Sequence, residues 1–261
     1  MVKAAKKRAD LTETLGRMFF APKKAAGVPK DALYKMDDEL VAKTGDLPVF
    51  MTEWNSMAIF AAPIHDEKYS AAFALKSVLD LNNEFTGYMF WCLSDIFEEQ
   101  IQLNKPFIGG YGIITNDGIP KPNFCAFKML AQLYPERFDI AFRQNGDVEY
   151  AAFKNENNVQ VIVYAQSNDP EKDEAHNIEI EINRVFGKVT VQTIDDNHCN
   201  PKKLWQKMGE PINLRPSQVD DIKEKSALRE ETADFEITDN CSFVKTTLRT
   251  NDIKLFTFYG E

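Results

Sequence analysis

The 261-residue sequence lacks several features that would assign it to a class at once. It has no apolar run near the roughly 20 residues of a membrane-spanning helix, and its polar start "MVKAAKKRAD" has no signal-peptide core. The spacing of its four cysteines fits neither a metal site nor a disulfide framework: Cys92, Cys125, Cys199 and Cys241. These absences predict a soluble, globular, cytoplasmic protein with reduced thiols, no structural zinc and no membrane contact.

Acidic residues outnumber basic ones outside the first 30 residues. The net charge is −9, but residues 1–30 hold eight lysines and arginines against two acids, so the rest of the chain carries −15. Such an acidic body argues against nucleic acid as a partner. The basic start is interpreted as solvated surface, or alternatively as an arm or the remnant of a longer chain.

The first half of the chain alternates helical and extended patterns. Apolar residues at helical spacing predict three helices: residues 31–44, residues 66–82 with Asp66 as the N-cap, and residues 122–134. Apolar and aromatic runs predict strands over residues 48–51 and 85–91. The order is that of a βαβ unit, so the two strands should be parallel and joined by a right-handed crossover.

The pattern changes near residue 145, where short alternating runs are separated by turn signals. Seven strands are predicted: residues 147–154, 158–165, 177–182, 188–194, 232–238, 242–248 and 253–259. Strands at this spacing are typical of an antiparallel β-sandwich, here with a helical insert near 216–230. The predicted organisation is a basic segment (1–30), an α/β part (31–140) and an all-β part (141–261).

Acidic and aromatic residues follow both predicted parallel strands. Glu53 ends the first, in "LPVFMTEWNSM"; Trp91 ends the second and leads into "CLSDIFEE", which holds Asp95, Glu98 and Glu99. The carboxyl ends of parallel strands meet at one edge, so these side chains should converge on one pocket. Carboxylates beside aromatic rings are what a sugar site needs, because the rings stack on pyranose faces and the acids bind hydroxyls or act on the glycosidic bond.

Ordinary structural roles compete with this interpretation. An acid at a strand end often caps the next helix, and "SDIFEE" is also compatible with a solvated first helical turn. Trp54 and Trp91 are equally compatible with a place in the core.

An ordered series of motifs resembles glycoside hydrolase family 39, the β-xylosidases and α-L-iduronidases built on a (β/α)8 barrel. The motifs are "MTEWNS", "HDEKYSAAFALKSVLD", "FWCLSDIFEE", "PFIGGYGIITNDGIPKPNFCAFKML" and "IDDNHCNPKKLWQKMGEPINLRPSQ". The resemblance covers roughly residues 31–261. It implies an α/β plus all-β protein: the last third of a barrel (strands 7 and 8 with flanking helices), followed by a β-sandwich accessory domain.

The resemblance also implies roles for single residues. Glu53 would be the nucleophile at the end of barrel strand 7. Substrate-binding positions are implied for five more residues: Trp54, Asn55, Trp91, Glu98 and Glu99. Many members of the family have histidine where this chain has Ile108, which puts one polar sugar contact in doubt. No metal or organic cofactor is implied.

Strands 1 to about 6 of the implied barrel have no counterpart in this sequence. The proton donor of the family is the glutamate of an Asn-Glu-Pro motif, and this chain has Asn-Glu only at 83–84 and 155–156, neither followed by proline nor suitably placed. We therefore expect a β-xylosidase-type retaining enzyme acting on a xylose-containing oligosaccharide, either a fragment of a longer enzyme or completed by another chain or a homo-oligomer. The alternatives are a non-catalytic sugar-binding or assembly module, or an inactive truncated product.

Overall fold

The computed structural model describes residues 42–45, 47–80, 85–96, 105–140, 144–167, 169 and 172–260. The predicted helix over residues 31–44 lies almost wholly outside this part of the chain, as does the basic segment 1–30. Within the described residues, no helix has the length and apolar character needed to cross a membrane.

The first part of the structure is a parallel strand pair with a connecting helix. Strand β1 (Phe50–Trp54) pairs with β2 (Gly87–Phe90) in parallel, which confirms the predicted direction of the two strands. A 3-10 turn (Pro63–Asp66) and helix α1 (Lys68–Asp80) connect them, and helix α2 (Pro122–Leu130) follows. Proline occupies the first turn of α2, where its missing N–H is not needed.

Two details of these helices differ from the predictions. Asp66 does not cap α1; it lies in the preceding 3-10 turn and is fully buried, because its carboxylate is used in an ion pair described below. Helix α2 ends at Leu130 rather than near 134, and its most buried apolar side chains are those of Cys125, Ala126 and Met129. Through this inward face α2 contacts both α1 and the second part of the molecule.

The second part consists of two antiparallel sheets. Their strands are β3 (Glu136–Arg137), β4 (Gln144–Asn145), β5 (Val148–Lys154), β6 (Val159–Ala165), β7 (Ala175–Ile182), β8 (Lys188–Ile194), β9 (Glu230–Thr232), β10 (Glu236–Thr238), β11 (Cys241–Arg249) and β12 (Ile253–Tyr259). The larger sheet has the order β3-β5-β6-β12-β8-β9 with β4 also beside β5, and the smaller sheet has the order β10-β11-β7. A strand lies within each of the seven predicted runs or overlaps it; the two- and three-residue strands β3, β4 and β9 were not predicted.

Two helices lie between β8 and β9. Helix α4 (Pro216–Lys225) falls within the predicted insert and buries Ile222 completely. Helix α3 (Pro201–Lys207) was not predicted, since only seven residues form it and Trp205 is its one large buried side chain. Asn200 caps α3 by accepting a hydrogen bond from the backbone of Lys203.

The two largest clusters of buried apolar residues in the described part of the chain hold the layers together. One lies between the two antiparallel sheets and includes Phe186, Leu248 and Phe258. The other is shared by α1, α2 and the opposite face of the larger sheet, and it includes Leu75, Met129 and Ile162. The shared core crosses the division predicted at residues 140 and 141, so the α/β part and the sheets bury apolar surface against each other.

A conservative truncation in this shared core tests whether the two parts unfold together. Ile162 is fully buried, and Ile162→Val should lower the free energy of unfolding by about 0.5–1.5 kcal/mol, because one methylene group is lost from packed surroundings. The midpoint of urea unfolding should shift by the same amount whether it is followed by near-ultraviolet or by far-ultraviolet circular dichroism. The exposed Ile237→Val is the control and should change stability by less than about 0.5 kcal/mol. Separation of the two probes in the core variant would contradict a common core.

Candidate active site at the ends of the parallel strands

A β-bulge in β1 determines where Glu53 points. Met51 is opposite Tyr88 and Trp54 is opposite Phe90, so β1 places two residues, Thr52 and Glu53, against one residue of β2. Met51 and Trp54 are both buried, whereas Thr52 and Glu53 are both exposed. In a regular strand Met51 and Trp54 would lie on opposite faces. The extra residue therefore returns Trp54 to the core and leaves Glu53 on the open face, a role that bulges often have beside functional sites.

Trp54 lies in the core on the helix side of the strand pair. Its side chain is only 6% exposed, and its ring centroid is 6.5 Å from that of Phe73, 5.0 Å from Phe90 and 6.4 Å from Phe127. The prediction that Trp54 contacts substrate is therefore not supported by its position, because the indole is on the face opposite Glu53. Its packing against α1 and α2 fixes the end of β1 instead.

Asn55 joins the ends of both strands. Its side-chain amide donates to the carbonyl of Trp91 and, at 3.2 Å, to the carbonyl of Tyr111. Its carbonyl oxygen accepts from the backbone N–H of Ser56 at 2.7 Å. The side chain thus holds the residue after β2 and the "GGYG" loop against the end of β1.

Trp91 follows β2 directly and is partly exposed. Its backbone N–H donates to the carbonyl of Trp54 at 2.9 Å, and its peptide bond to Cys92 is cis. The structure thus brings Trp91 next to Asn55 at the same end of the strand pair as Glu53. The predicted sugar-binding residues Glu98 and Glu99 lie outside the described residues.

Asp95 is not part of an open pocket, contrary to the predicted convergence of all the acids. The Lys121 ammonium, fully buried, lies 2.7 Å from Asp66 Oδ1 and 2.8 Å from Asp95 Oδ2. Both carboxylates are almost completely buried. Asp95 is therefore a structural partner of a buried lysine, because a carboxylate in the interior needs an opposite charge.

The side chains of this buried cluster, Asp66–Asp95–Lys121, hold the "GGYG" loop by hydrogen bonds to the backbone of the loop. Gly109 N–H donates to Asp66 at 2.6 Å, Gly112 N–H donates to Asp95 at 2.8 Å, and Lys121 donates to the Gly110 carbonyl at 3.0 Å. A Cβ atom at Gly110 would come within 2.3 Å of the Asp95 carboxylate. Sequence reasoning missed Lys121, but the three closely spaced glycines were a signal that the backbone approaches another group closely.

His65 adds a further buried contact to the same loop. Its ring nitrogens lie 2.8 Å from the Gly109 carbonyl and 3.0 Å from the Met57 carbonyl. Burial lowers the pKa of His65, although the two carbonyls oppose this effect. The ring therefore ties the loop after β1 to the "GGYG" loop.

Burial raises the pKa of Asp95 to about 6, although Lys121 opposes the shift. The native state therefore retains a proton between about pH 4 and pH 6 that the unfolded chain releases. Stability from this group is fully present below about pH 4 and is lost as the pH rises toward 6. The difference in unfolding free energy between wild type and Asp95→Asn should fall over that interval by up to about 3 kcal/mol and then level off. Urea unfolding at pH 4, 5, 6 and 7 measures it; a constant difference would contradict the shift.

The chain is similar to a known protein family and to curated proteins. Residues 24–240 match the family described as Glycosyl hydrolases family 39. The beta-xylosidase of Caldicellulosiruptor saccharolyticus is 35% identical over 199 residues, which cover 74% of this chain and 41% of that protein. The beta-xylosidase of Geobacillus stearothermophilus is 25% identical over 171 residues, 63% of this chain and 32% of that protein.

Solved structures show the same fold. A family 39 enzyme from Xanthomonas axonopodis pv. citri superposes with a TM-score of 0.72 at 23% identity, covering 91% of this chain and 50% of that one. A family 39 beta-xylosidase from Caulobacter crescentus gives 0.71 at 22% identity, covering 89% and 49%. The chain thus spans less than half the length of the curated relatives it matches and about half of these structures. The match over residues 24–240 shows that the chain belongs to glycosyl hydrolase family 39.

Proposed function

We propose that this chain is the C-terminal portion of a retaining, β-xylosidase-type glycoside hydrolase and that Glu53 is its nucleophile. The observation that carries the proposal is the bulge at Thr52 and Glu53. It leaves a carboxylate exposed at the carboxyl end of a parallel strand while the tryptophan beside it is buried. Active sites of parallel α/β architectures lie at this end of the strands.

The chemistry assigned to Glu53 is nucleophilic attack on the anomeric carbon of a β-xyloside. The Glu53–carbon bond would form as the bond to the leaving oxygen breaks, and that oxygen takes a proton from a general acid. Water, deprotonated by the same group, would then release the sugar from Glu53 with retained configuration. Asn55 would act as a positioning residue, because its amide groups are used by Trp91 and Tyr111 rather than left for a ligand.

The open face of the strand pair supports an incomplete (β/α)8 barrel with an accessory β-sandwich as the architecture. Phe50 and Met89 are 51% and 47% exposed although both lie in strands. In a closed barrel the residues on this face would be covered by the side chains of the other strands. The relatives are more than twice as long as the segment matched here, so the remaining strands and the proton donor would come from polypeptide beyond this sequence.

A complementation experiment tests this function. The isolated chain should not hydrolyse an aryl β-xyloside, because no residue in it is assigned as the proton donor. A fusion of the N-terminal part of the Caldicellulosiruptor relative to residues 31–261 should hydrolyse it, since the relative is named a beta-xylosidase and supplies the other half of the fold. A folded fusion without turnover would contradict the proposal.

The absence of an Asn-Glu-Pro motif from the sequence favours a second candidate, a non-catalytic sugar-binding module. Isothermal titration calorimetry with xylobiose separates the two. Binding by both the chain and the fusion, without hydrolysis by either, would support the module; hydrolysis by the fusion would exclude it.

A further inference from the structure

Two of the four cysteines meet in the core that the α/β part shares with the sheets. Cys125 lies on helix α2, and Cys199 lies in the turn between β8 and α3. Both residues are buried, both belong to the shared core, and both thiols are free. The two thiol groups are close enough to hydrogen-bond to each other, and the Cys199 sulfur also lies 3.6 Å from the Thr193 carbonyl oxygen. The fold thus brings together two thiols from segments that are far apart in the chain.

The turn that carries Cys199 is held in place on both sides of this residue. Cys199 has a φ of +55°, in the left-handed region that residues other than glycine seldom adopt. The Asp195 carboxylate accepts from the backbone N–H groups of Asn197 and His198, both at 2.7 Å. Asn200, directly after Cys199, caps α3. These contacts fix the backbone from which the Cys199 thiol enters the core.

A cavity of about 210 Å³ gives small molecules a route to the two thiols. Cys199 lines this cavity, and so do Ala227 and Arg229. Leu228, between those two residues, donates a backbone hydrogen bond to the Cys125 thiol, so Cys125 lies directly behind the same wall. One water molecule needs only about 10–15 Å³ of such a cavity. Hydrogen peroxide, which is only slightly larger than water, therefore has room to enter beside the pair.

The contact between the two thiols makes them chemically unequal. A hydrogen bond from Cys199 lowers the pKa of Cys125, although burial opposes this effect. The positive charge of Lys128 and the backbone N–H of Leu228 lower the pKa of Cys125 further. The contact with Cys125 and burial raise the pKa of Cys199, and the charge of Asp195 adds to this effect. Cys125 therefore ionises before Cys199, and the thiolate is the nucleophilic form of cysteine, whereas an ordinary buried cysteine is inert.

We propose that Cys125 and Cys199 form a redox pair that hydrogen peroxide converts to a disulfide between α2 and the turn after β8. In the first step the Cys125 thiolate attacks one oxygen of the peroxide, and the O–O bond breaks. The products are a sulfenic acid on Cys125 and hydroxide, which takes up the proton that Cys125 had released and becomes water. In the second step the Cys199 sulfur attacks the Cys125 sulfur, and the hydroxyl group leaves with the Cys199 proton as a second water. One peroxide is thus reduced to two waters while two thiols are oxidised to one disulfide.

The disulfide would link the α/β part of the molecule to the sheets across their shared core. It closes a long loop of the chain, from Cys125 to Cys199, and a cross-link over a long loop stabilises the folded state by restricting the unfolded one. The equilibrium constant for urea unfolding of the oxidised chain should therefore be at least about tenfold lower than that of the reduced chain. Dithiothreitol should reverse the change.

The direct test is disulfide mapping on the full chain, which does not depend on glycosidase activity. The reduced chain is freed of reductant, treated with hydrogen peroxide, alkylated with N-ethylmaleimide and digested with pepsin for mass spectrometry. Cys125 and Cys199 should be found joined, with Cys241 alkylated and Cys92 outside any disulfide. Cys92 is the partly exposed thiol, so non-specific oxidation would mark it first. Oxidation of the chain in urea is the control for native geometry and should give at least about tenfold less of this disulfide.

Two serine variants separate the roles of the thiols. In Cys199→Ser the hydroxyl group keeps a hydrogen-bond donor beside Cys125, but no second thiol can close the disulfide, so the Cys125 sulfenic acid should accumulate. Transfer into urea with dimedone should then label Cys125. In Cys125→Ser the labelling of Cys199 should be at least about tenfold weaker, because that thiol ionises less readily. Cys241→Ser, which changes a buried cysteine of β11, is the matched control and should form the disulfide as the wild type does.

Specific results would overturn the proposal. Free thiols at Cys125 and Cys199 after peroxide treatment, a disulfide that includes Cys92 or Cys241, or equal yields from the native and the urea-unfolded chain would each exclude the pair. Dimedone labelling of Cys199 in Cys125→Ser that equals the labelling of Cys125 in Cys199→Ser would exclude Cys125 as the attacking thiolate. If a serine variant fails to fold, the map of the wild-type chain decides whether the pair exists.

Discussion

Replacement of Lys121 by methionine should destabilise the protein by about 3–5 kcal/mol. Methionine has nearly the same length as lysine, so the change removes the charge with little loss of volume. It leaves Asp66 and Asp95 facing each other in the interior without the cation that lies 2.7 and 2.8 Å from them. Breaking a buried ion pair by removing one partner costs far more than the pair itself contributes. Urea unfolding at pH 7 measures the loss.

A triple variant is the matched control for this prediction. Lys121→Met combined with Asp66→Asn and Asp95→Asn removes every charge of the cluster and retains side chains of similar size. The triple variant should recover part of the stability lost by the single variant, because its two amides leave no ionised, unpaired carboxylate in the interior. A loss below about 1 kcal/mol for Lys121→Met alone would mean that the carboxylates are not held as a charged cluster.

The same substitution should also disturb the candidate site through the "GGYG" loop. Gly109 and Gly112 donate to the two carboxylates, and the Tyr111 carbonyl between them accepts from Asn55. Loss of Lys121 therefore loosens the loop that Asn55 uses to hold the end of β1. The cluster contributes to the geometry near Glu53 without lying on its face.

The second half of the fold was largely predictable because its strands follow simple alternation. Four strands begin and end within one residue of the predicted runs: β5, β6, β8 and β12. Each has buried side chains on one or both of its faces and is bounded by turn residues, so the pattern of apolar residues marks its ends. β3, β4 and β9 were missed because two or three residues carry no period. Those strands form by backbone pairing with a longer neighbouring strand, which is a tertiary contact.

The candidate site was less predictable, because tertiary pairing decides which way its side chains point. The bulge at Thr52 and Glu53 depends on the register between β1 and β2, which no local pattern in "VFMTEWN" reveals. Strand alternation alone therefore cannot predict the face of β1 on which Trp54 lies. The sequence was compatible with a core position for Trp54 as well as with substrate binding. Asp95 shows the same limit, since its role depends on Lys121, which lies 26 positions later in the chain.

The exposed carboxylate at the end of β1 leads to the prediction with the largest effect. In an active assembly, such as the fusion described above, Glu53→Ala should lower kcat for an aryl β-xyloside by at least about 10⁴-fold, because no covalent intermediate can then form. Glu67→Ala is the matched control: Glu67 is also exposed, but it pairs with Lys202 at 2.6 Å and lies outside β1. It should retain activity near that of the unaltered fusion.

Azide distinguishes a lost nucleophile from a damaged fold. In Glu53→Ala the shortened side chain leaves room beside the anomeric carbon on the face that the carboxylate attacked. Azide entering there should form a bond to that carbon as the leaving group departs, which gives α-xylosyl azide, the inverted product. Nuclear magnetic resonance identifies the anomer. Recovery of turnover with this product assigns the nucleophile to Glu53, because misfolding and lost substrate binding are not repaired by a small anion. Formation of the β-azide, or full activity of Glu53→Ala without azide, would place the nucleophile on another residue.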